Sequence, residues 1–522
     1  MRRPWRLAAL FLLVSSTVLG AAAGDRLSAG PAAARQDLHL FAELVTVAHE
    51  RYGREVPYRD LVFAAIDGMV RTLDPHSTFL SPDDFSRMRE KQQASFYGLG
   101  ILIGNRGGRL TVISPLDGSP ASRLGIRAGD IIDRIEGEST ARMALDDAVS
   151  RLKGPKGTEV RITILRAGLP EPLELTVVRD EIPQTTVRYA YMIEPGTGYI
   201  SVSDFSRSTG DEVAEALERL RGRGLERLIL DLRNNGGGLL DQAIAVSEQF
   251  LPRGSSIVET RGRVRDSQQS FEAAGNAKGF GLPLIVLVNS GTASASEIVS
   301  GAAQDHDIGL VVGTPTWGKG LVQTVYNLNY GAGLALTTAK YYTPSGRLIQ
   351  RDYDSFFDYQ TRADVEARAN GTAPPEANGE AYSTDTGRKV YGGGGITPDV
   401  EVELDELAPY VQFLLARAAF FNFGVEYAAA RPDLDRGWSP EPAILEEFRA
   451  WLVAREIDDP EAAAAGLADE AVRAVALRQI RAEALASKFG IEASHQVLAT
   501  GDAQIQAALT LFPRAAELLA SR

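Results

Sequence analysis

The chain has 522 residues, 44% of them hydrophobic and 24% charged, with a net charge of −13 and no cysteine. That length predicts two to four domains with ordinary soluble cores. The acidic balance argues against nucleic acid or anionic lipid as the main partner, and the lack of cysteine excludes disulfides, a thiol nucleophile and thiolate metal sites.

The first stretch, "MRRPWRLAALFLLVSSTVLGAAAG", has Arg2, Arg3 and Arg6, an apolar run from Leu7 to Leu19, and Ala21-Ala22-Ala23. A basic start, a short apolar core and a small-residue exit predict a secretory signal over residues 1–23, cleaved near Ala23. A retained inner-membrane anchor is the alternative, since the apolar length almost spans a bilayer. Either way the expected location is periplasmic or otherwise exported. Residues 24–92 read as a helical domain, with "LHLFAELVTVAHERY" and "YRDLVFAAIDGMVRTL" placing apolar residues at three- and four-residue steps. "LDPHSTFLSPDDF" breaks that pattern and predicts a further short helix capped at Ser81 or Asp83. Residues 93–181 change to short strands and glycine turns, interrupted by one amphipathic stretch, "ARMALDDAVSRLKG", which predicts a compact β-rich module.

Residues 182–352 alternate strand and helix. "GYISVSDF" precedes a helix carrying Val213, Leu217 and Leu220 on one stripe, and "LERLILDLR" and "PLIVLVNS" are continuous apolar strands. This pattern predicts a largely parallel sheet covered on both faces. Residues 353–389 are polar and rich in Pro, Gly, Ala and Glu, and read as a mobile surface insertion. "GGGGITPDVEVE" returns to strand over 390–404, and 405–522 reads as a separate helical domain without a chemical motif.

The chemistry concentrates in "VNSGTASASEIVSGAAQDHDIGLVVGTPTWGKGLVQT", residues 288–324. Ligands bind past the carboxyl edge of parallel strands. Ser290 ends a strand, Ser296 and Ser300 lie within the following helix, and Ser294 stands at the helix start. Ser294 and Glu297 have the S-x-x-E spacing of a capping box, and helix capping alone is the plainer account of that serine. His306, flanked by Asp305 and Asp307, is a poor base for it, being about 15 Å away along the same helix. His39, His49, His76 and His495 have no motif around them, and none has metal-ligand spacing. Lys319 is the stronger base: burial can bring a lysine from about 10.4 towards 7–8, Trp317 can exclude water, and Gln323 lies on the same side of a strand. "DLRNNGGGLL" places Gly236, Gly237 and Gly238 after a buried strand, where backbone N–H groups can face an oxyanion. The same run also suits a tight turn or a phosphate loop, but the Walker lysine-serine ending is missing.

"DLRNNGGGLL", "GTASASEIVSGAAQD", "GTPTWGKGLVQT" and "YYTPSGRLIQ", in that order, resemble the carboxyl-terminal processing (tail-specific) proteases of the S41 serine peptidase family. "AAIDGMVRTLDPHSTFLSPDDF" resembles that family's N-terminal helical segment. The resemblance implies an α/β core of ClpP/crotonase type, Ser294 as nucleophile, Lys319 as base and Gln323 in support. It also implies an oxyanion hole from the amide of Ala295 and one glycine of the run, Gly237 before Gly238. Gly236 stands where many relatives carry proline. "YGLGILIG" with "GSPASRLGIRAGDIIDRIEG" resembles a PDZ domain, which implies that Gly98, Leu99, Gly100 and Ile101 receive a terminal carboxylate while the incoming chain extends a strand edge. Leu99 and Ile101 are then expected to help line a pocket for an apolar last residue.

The expected function is therefore an exported serine endopeptidase that captures protein C-termini with apolar ends and cleaves upstream, needing no metal, nucleotide or other cofactor. A non-catalytic PDZ scaffold and an acyl-CoA enzyme on the same sheet layout are the rivals. The N-terminal helices and the helical tail are candidate homodimer surfaces.

Overall fold

This computed structural model describes residues 32–116, 118–275, 277–351 and 380–522. The expected leader at 1–23 and residues 353–379 of the expected insertion lie outside the described residues. The chain divides into two compact units, one reaching to Pro82 and including Val325–Leu336, the other formed by Asp83–Thr324 and Thr337–Arg522.

In the first unit, helices α1 (Ala32–Arg51) and α2 (Tyr58–Arg71) precede strand β1 (Thr78–Leu80), which pairs antiparallel with residues 333–335. The "DPHS" break has a local cause: the Asp74 carboxylate accepts from the His76 amide, the Ser77 amide and the Ser77 hydroxyl, all within 2.8 Å. His49 stacks on Tyr58 at 3.9 Å and bonds the Val56 carbonyl, a structural role for that motif-free histidine.

In the second unit, helix α3 (Pro82–Gln93) leads into the β-rich module. Its elements are β2 (Ser95–Gly98), β3 (Ile101–Arg106), β4 (Arg109–Pro115), α4 (Pro120–Arg123), β5 (Ile131–Ile135), β6 (Glu138–Ser139), α5 (Leu145–Leu152), β7 (Glu159–Leu165), β8 (Leu173–Val178) and β9 (Asp180–Pro183). The sheet runs β3-β4-β5-β7-β8 with β6 on β5, and β2 pairs with β9. Alternation sets the core: Val160, Ile162 and Ile164 point inward with Val112, Ile132 and Ile135, while Ala148 and Leu152 of α5 close it. The sequence suggested one helix here; α4 is a second, a single turn opened by Pro120 and capped by Ser119, which accepts from the Ser122 amide.

The central layer follows. Strands β10 (Val187–Glu194), β11 (Thr197–Val202), β12 (Arg227–Asp231), β15 (Leu284–Val288), β16 (Gly309–Gly313) and β21 (Val400–Glu401) lie in the order β10-β11-β12-β15-β16-β21. Only β10 is antiparallel to its neighbour in this sheet. Helices α6 (Thr209–Arg221), α7 (Leu240–Glu248) and α8 (Ala295–Asp305) cover one face. The stripe of Val213, Leu217 and Leu220 is fully buried there. A second set of strands comprises β13 (Ser256–Gly262), β14 (Gln269–Glu272), β17 (Leu321–Asn327) and β18 (Gly333–Tyr342), with β13 pairing both β14 and the carboxyl-terminal half of β18.

Two boundaries differ from the sequence expectation. Residues 380–389 belong to a regular hairpin, β19 (Ala381–Ser383) against β20 (Lys389–Tyr391), not to an irregular insertion. Buried charge holds the hairpin: the Asp307 carboxylate accepts from the Thr386 amide and from Arg388 Nε, both at 2.6 Å, and Arg388 also pairs with Asp399. The 405–522 region is likewise not a domain apart. Its helices α9 (Pro409–Ala416), α10 (Ala419–Ala429), α11 (Ile444–Ala454), α12 (Pro460–Gly466) and α13 (Glu470–Phe489) share a core of Phe420, Phe448, Leu452 and Ile480. After α14 (Ile491–Ala499), however, α15 (Ala503–Ala520) covers the second face of the central sheet. Ile505, Ala508, Phe512 and Ala515 pack there on Ile229, Ile285, Leu287 and Leu310. Burying an Ile or Phe side chain stabilises by roughly 1.5–3 kcal/mol, so without α15 that face of the sheet would be strongly destabilised.

Candidate active site

Three adjacent parallel strands, β12, β15 and β16, deliver the loops that form the site, and the first two loops are cross-linked. The Asn289 Oδ1 atom accepts from the Asn234 amide (2.8 Å), and the Thr292 hydroxyl donates to the Leu232 carbonyl (2.9 Å). The Asn235 carbonyl accepts from the Ala293 amide (3.0 Å) and the Ser296 hydroxyl (2.9 Å). Ser296 is thereby accounted for as a buried staple, and Ser300 donates to the Ser296 carbonyl within the helix.

Ser294 stands at the start of α8 with φ 57° and ψ −114°. An ordinary N-cap has extended backbone angles, so capping alone does not explain this residue. A non-glycine residue held at such angles costs on the order of 1–3 kcal/mol, a strain that clusters at working sites. The S-x-x-E pair does close as a capping box, and its well-aligned bond runs from the Ser294 amide to Glu297 Oε2 at 2.7 Å. The Glu297 amide is directed to the Ser294 carbonyl (2.9 Å), leaving the hydroxyl without a capping hydrogen bond of good geometry.

Glu297 does far more than cap. It is fully buried, and its four acceptor positions are filled. Oε2 accepts from the Ser294 and Lys319 amides, and Oε1 from the Thr316 hydroxyl (2.5 Å) and the Gly318 amide (2.7 Å). Two amides sharing one oxygen at 2.7 and 2.9 Å lie within about 5.6 Å of each other, so Glu297 fixes the backbones of Ser294 and Lys319 side by side. From the other direction, the Tyr341 hydroxyl lies within reach of both the Ser294 carbonyl (3.0 Å) and the Lys319 carbonyl, which share its one proton. Burial leaves the Glu297 carboxyl above its ordinary range, although the bonds from Thr316, Lys319, Gly318 and Ser294 oppose that shift. Three of the four neighbours are backbone N–H groups that can only donate, and the ionised form also accepts the Thr316 hydroxyl proton, so the carboxylate matches this geometry.

Lys319 is half-buried, and its Nζ donates to Gln323 Oε1 at 2.9 Å, along the first residues of β17. Trp317 lies beside it, with the Arg351 guanidinium 4.4 Å from the indole ring centre. Gly237 approaches Ser294 closely: a Cβ there would stand 2.7 Å from Ser294 Cβ and 2.9 Å from the Ala295 amide nitrogen, at φ +97°. Only glycine fits. The Gly237 N–H donates to Asn235 Oδ1 (2.9 Å), whereas the N–H groups of Ala295 and Gly238 take no protein acceptor among the described residues. His306 is remote from this cluster in role as well as sequence: Nδ1 bonds Asp385 (2.8 Å) and Nε2 the Ser256 carbonyl (2.6 Å).

In the β-rich module, Gly98 ends β2, Leu99 and Gly100 form the turn, and Ile101 opens β3, which is an edge strand. The Leu99 carbonyl accepts from the Ala121 amide, and the Gly100 carbonyl from the Leu116 amide and the Ser119 hydroxyl. The N–H groups of Leu99 and Gly100 take no protein acceptor among the described residues. Leu99 is buried in the module's core and Ile101 is half-buried.

The model of peptidase family S41 matches residues 196–355, and a PDZ domain model matches residues 111–166. The carboxy-terminal-processing protease of Bartonella bacilliformis is 41% identical over 319 residues, covering 60% of this chain and 73% of that one. The chain belongs to this family of serine-type processing peptidases. The carboxyl-terminal-processing protease of Synechocystis sp. is 39% identical over 335 residues, covering 60% of this chain and 77% of that one. Among solved structures, the photosystem II D1 C-terminal processing protease is 29% identical, covering 68% of this chain and 85% of that one, with a TM-score of 0.36.

Sequence reasoning had singled out Ser294, Lys319, Gln323 and the glycine run. It missed the larger role of Glu297, and it missed Thr316, Asn235 and Tyr341 altogether. The signals present were the S-x-x-E spacing and the conspicuous "YYTPSGR" run.

Proposed function

We propose that this family member is an exported endopeptidase that holds the carboxyl-terminal tail of a protein on its PDZ module and cleaves upstream with a Ser294/Lys319 dyad. Ser294 Oγ attacks the scissile carbonyl, neutral Lys319 takes its proton and returns it to the leaving amine, and Gln323 orients the amine. The Ala295 N–H is one oxyanion donor. Gly237, whose Cα faces Ser294, supplies the second when its N–H exchanges Asn235 for the oxyanion, and Gly238 is the alternative donor. The observation that carries this reading is the double fastening of Ser294 to Lys319, through Glu297 at their amides and Tyr341 at their carbonyls.

The amides of Leu99 and Gly100 take the terminal carboxylate, the tail adds to the β3 edge, and Leu99 and Ile101 favour an apolar last residue. Self-association through α1 is part of the proposal, since Leu38, Leu40, Leu44 and Val47 are exposed along it. Export rests on residues 1–23; among the described residues no helix is long and apolar enough to cross a membrane.

The experiment is incubation of the mature chain, Ser294→Ala and Lys319→Ala with a protein ending in apolar residues. The unmodified chain should shorten it, and both variants should bind its tail without cleaving it. Tail binding with no cleavage by the unmodified chain would leave a non-catalytic PDZ scaffold instead.

A further inference from the structure

We infer that the carboxyl-terminal helical region reaches into the active site, with Asp502 and Gln504 acting as positioning residues for the oxyanion loop through Arg233. This inference rests on the peptidase reading and extends it to a stretch in which the sequence showed no motif.

Arg233 follows β12 and precedes Asn234-Asn235-Gly236-Gly237, the turn that faces Ser294. Its side chain is only 10% exposed and its donors are divided between two parts of the fold. Nε and one terminal nitrogen grip the Asp231 carboxylate at 2.7–3.0 Å. The other terminal nitrogen donates to both oxygens of Asp502 (3.1 and 2.9 Å) and to Gln504 Oε1 (2.9 Å).

The two acceptors from the tail are themselves held. Asp502 Oδ1 caps α15 by accepting the Gln504 and Ile505 amides, both at 3.0 Å. Gln504 is fully buried and donates to the Val402 carbonyl just past β21 (2.8 Å). Asp231 is held from the other side by the Tyr199 hydroxyl at 2.6 Å. A planar guanidinium with its donors in a rigid fork transmits orientation well, since displacing one acceptor rotates the whole plane.

The consequence reaches the reacting atoms in a short path. The residues after Arg233 are pinned to the serine loop through Asn234–Asn289 and Asn235–Ala293, and Gly237 abuts Ser294. Tilting Arg233 therefore moves the donors that face the oxyanion relative to the nucleophile. The carboxyl-terminal helices also fill the second face of the sheet, but the Asp502–Arg233–Gln504 contact adds a polar function that packing does not need.

The test uses the mature full-length chain, Asp502→Asn, Gln504→Leu and the double variant. Asparagine keeps a capping oxygen for α15 while removing the charge that faces Arg233. Cleavage of a quenched-fluorescence peptide ending in Val-Ala is measured per titrated active site. Inhibition by a peptide aldehyde, whose hemiacetal oxygen occupies the oxyanion position, is measured beside it. The expected result is that kcat and aldehyde affinity fall together by about tenfold, below the 10²–10³ lost on deleting an oxyanion donor, with KM and tail-peptide Kd unchanged. A purely structural role would lower the thermal midpoint and the fraction of active sites while leaving kcat per active site and aldehyde affinity intact. That result in both single variants and the double variant overturns the inference but spares the peptidase reading. An unmodified chain that neither cleaves the peptide nor binds the aldehyde overturns both.

Discussion

Replacing Glu297 by glutamine separates two accounts of the buried carboxyl. If Glu297 is ionised and accepts from three backbone N–H groups and the Thr316 hydroxyl, the amide nitrogen of glutamine must face two of these partners. The less costly orientation turns that nitrogen towards Thr316, whose hydroxyl can rotate, and keeps the oxygen on the Ser294 and Lys319 amides. The Gly318 N–H then loses its acceptor, and leaving a buried donor unsatisfied costs about 1–3 kcal/mol. Alanine would strand all four donors, about 4–12 kcal/mol, which approaches the whole stability of a folded domain. Glu297→Gln should therefore fold, with a thermal midpoint lower by about 2–4 °C for each kcal/mol lost, as for domains of 150–250 residues. Its single-turnover cleavage should slow by about 10- to 100-fold, since small misplacements of reacting groups carry losses of that order. The assays are thermal unfolding and rapid-quench cleavage on the same preparation. If burial instead kept the carboxyl protonated, glutamine would be a near-neutral replacement. An unchanged midpoint and an unchanged rate would refute the carboxylate staple.

Other perturbations address separate parts of the account. Lys319→Ala should lower kcat by about 10²–10⁴, the contribution of a general base, while fluorescence anisotropy shows unchanged tail-peptide binding. Gly100→Ala should act in the opposite way: at φ +73° its Cβ would lie 2.3 Å from Ser119 Cβ, so tail affinity and KM should suffer while saturating kcat persists. His495 is half-buried against Tyr189, bonds the Tyr191 hydroxyl, and faces Asp231, Arg233 and Asp502; loss of solvent holds its imidazole below the ordinary 6.5. As pH drops, the unfolded chain takes up the proton first, so this contribution to stability is complete above about pH 6.5 and is lost as pH falls through the lower folded value. Urea unfolding across that window should show the loss, and His495→Phe should flatten it.

The central sheet was legible because β12, β15 and their helices carry uninterrupted apolar runs and clean stripes, signals that depend only on local spacing. Ser294 and Lys319 were legible as residue types at a helix start and in a glycine-flanked loop. The backbone of Ser294 was not, because its φ of 57° is imposed by contacts from Asn235, Gly237 and Glu297 that the sequence does not place nearby. Glu297 was visible as a cap three residues on, but its bonds to Thr316, Gly318 and Lys319 span about twenty residues and exist only after the loops meet. The same limit explains the tail: the apolar face of α15 looked like that of any bundle helix, and periodicity cannot say that its partner is a sheet. In the 380–389 segment, polar composition next to a Pro- and Gly-containing stretch outweighed a hairpin held by the Asp307–Arg388 pair, a contact from a distant element.

The proposed chemistry turns on which hydroxyl becomes acylated and what makes it reactive. The direct measurement is mapping by mass spectrometry of the adduct formed with a peptide fluorophosphonate, in the unmodified chain, Ser294→Ala and Lys319→Ala. A single adduct on Ser294, absent in the first variant and formed far more slowly in the second, is the predicted result. Labelling of Ser290, Ser296 or Ser300 instead, or full-rate labelling without Lys319, would contradict it.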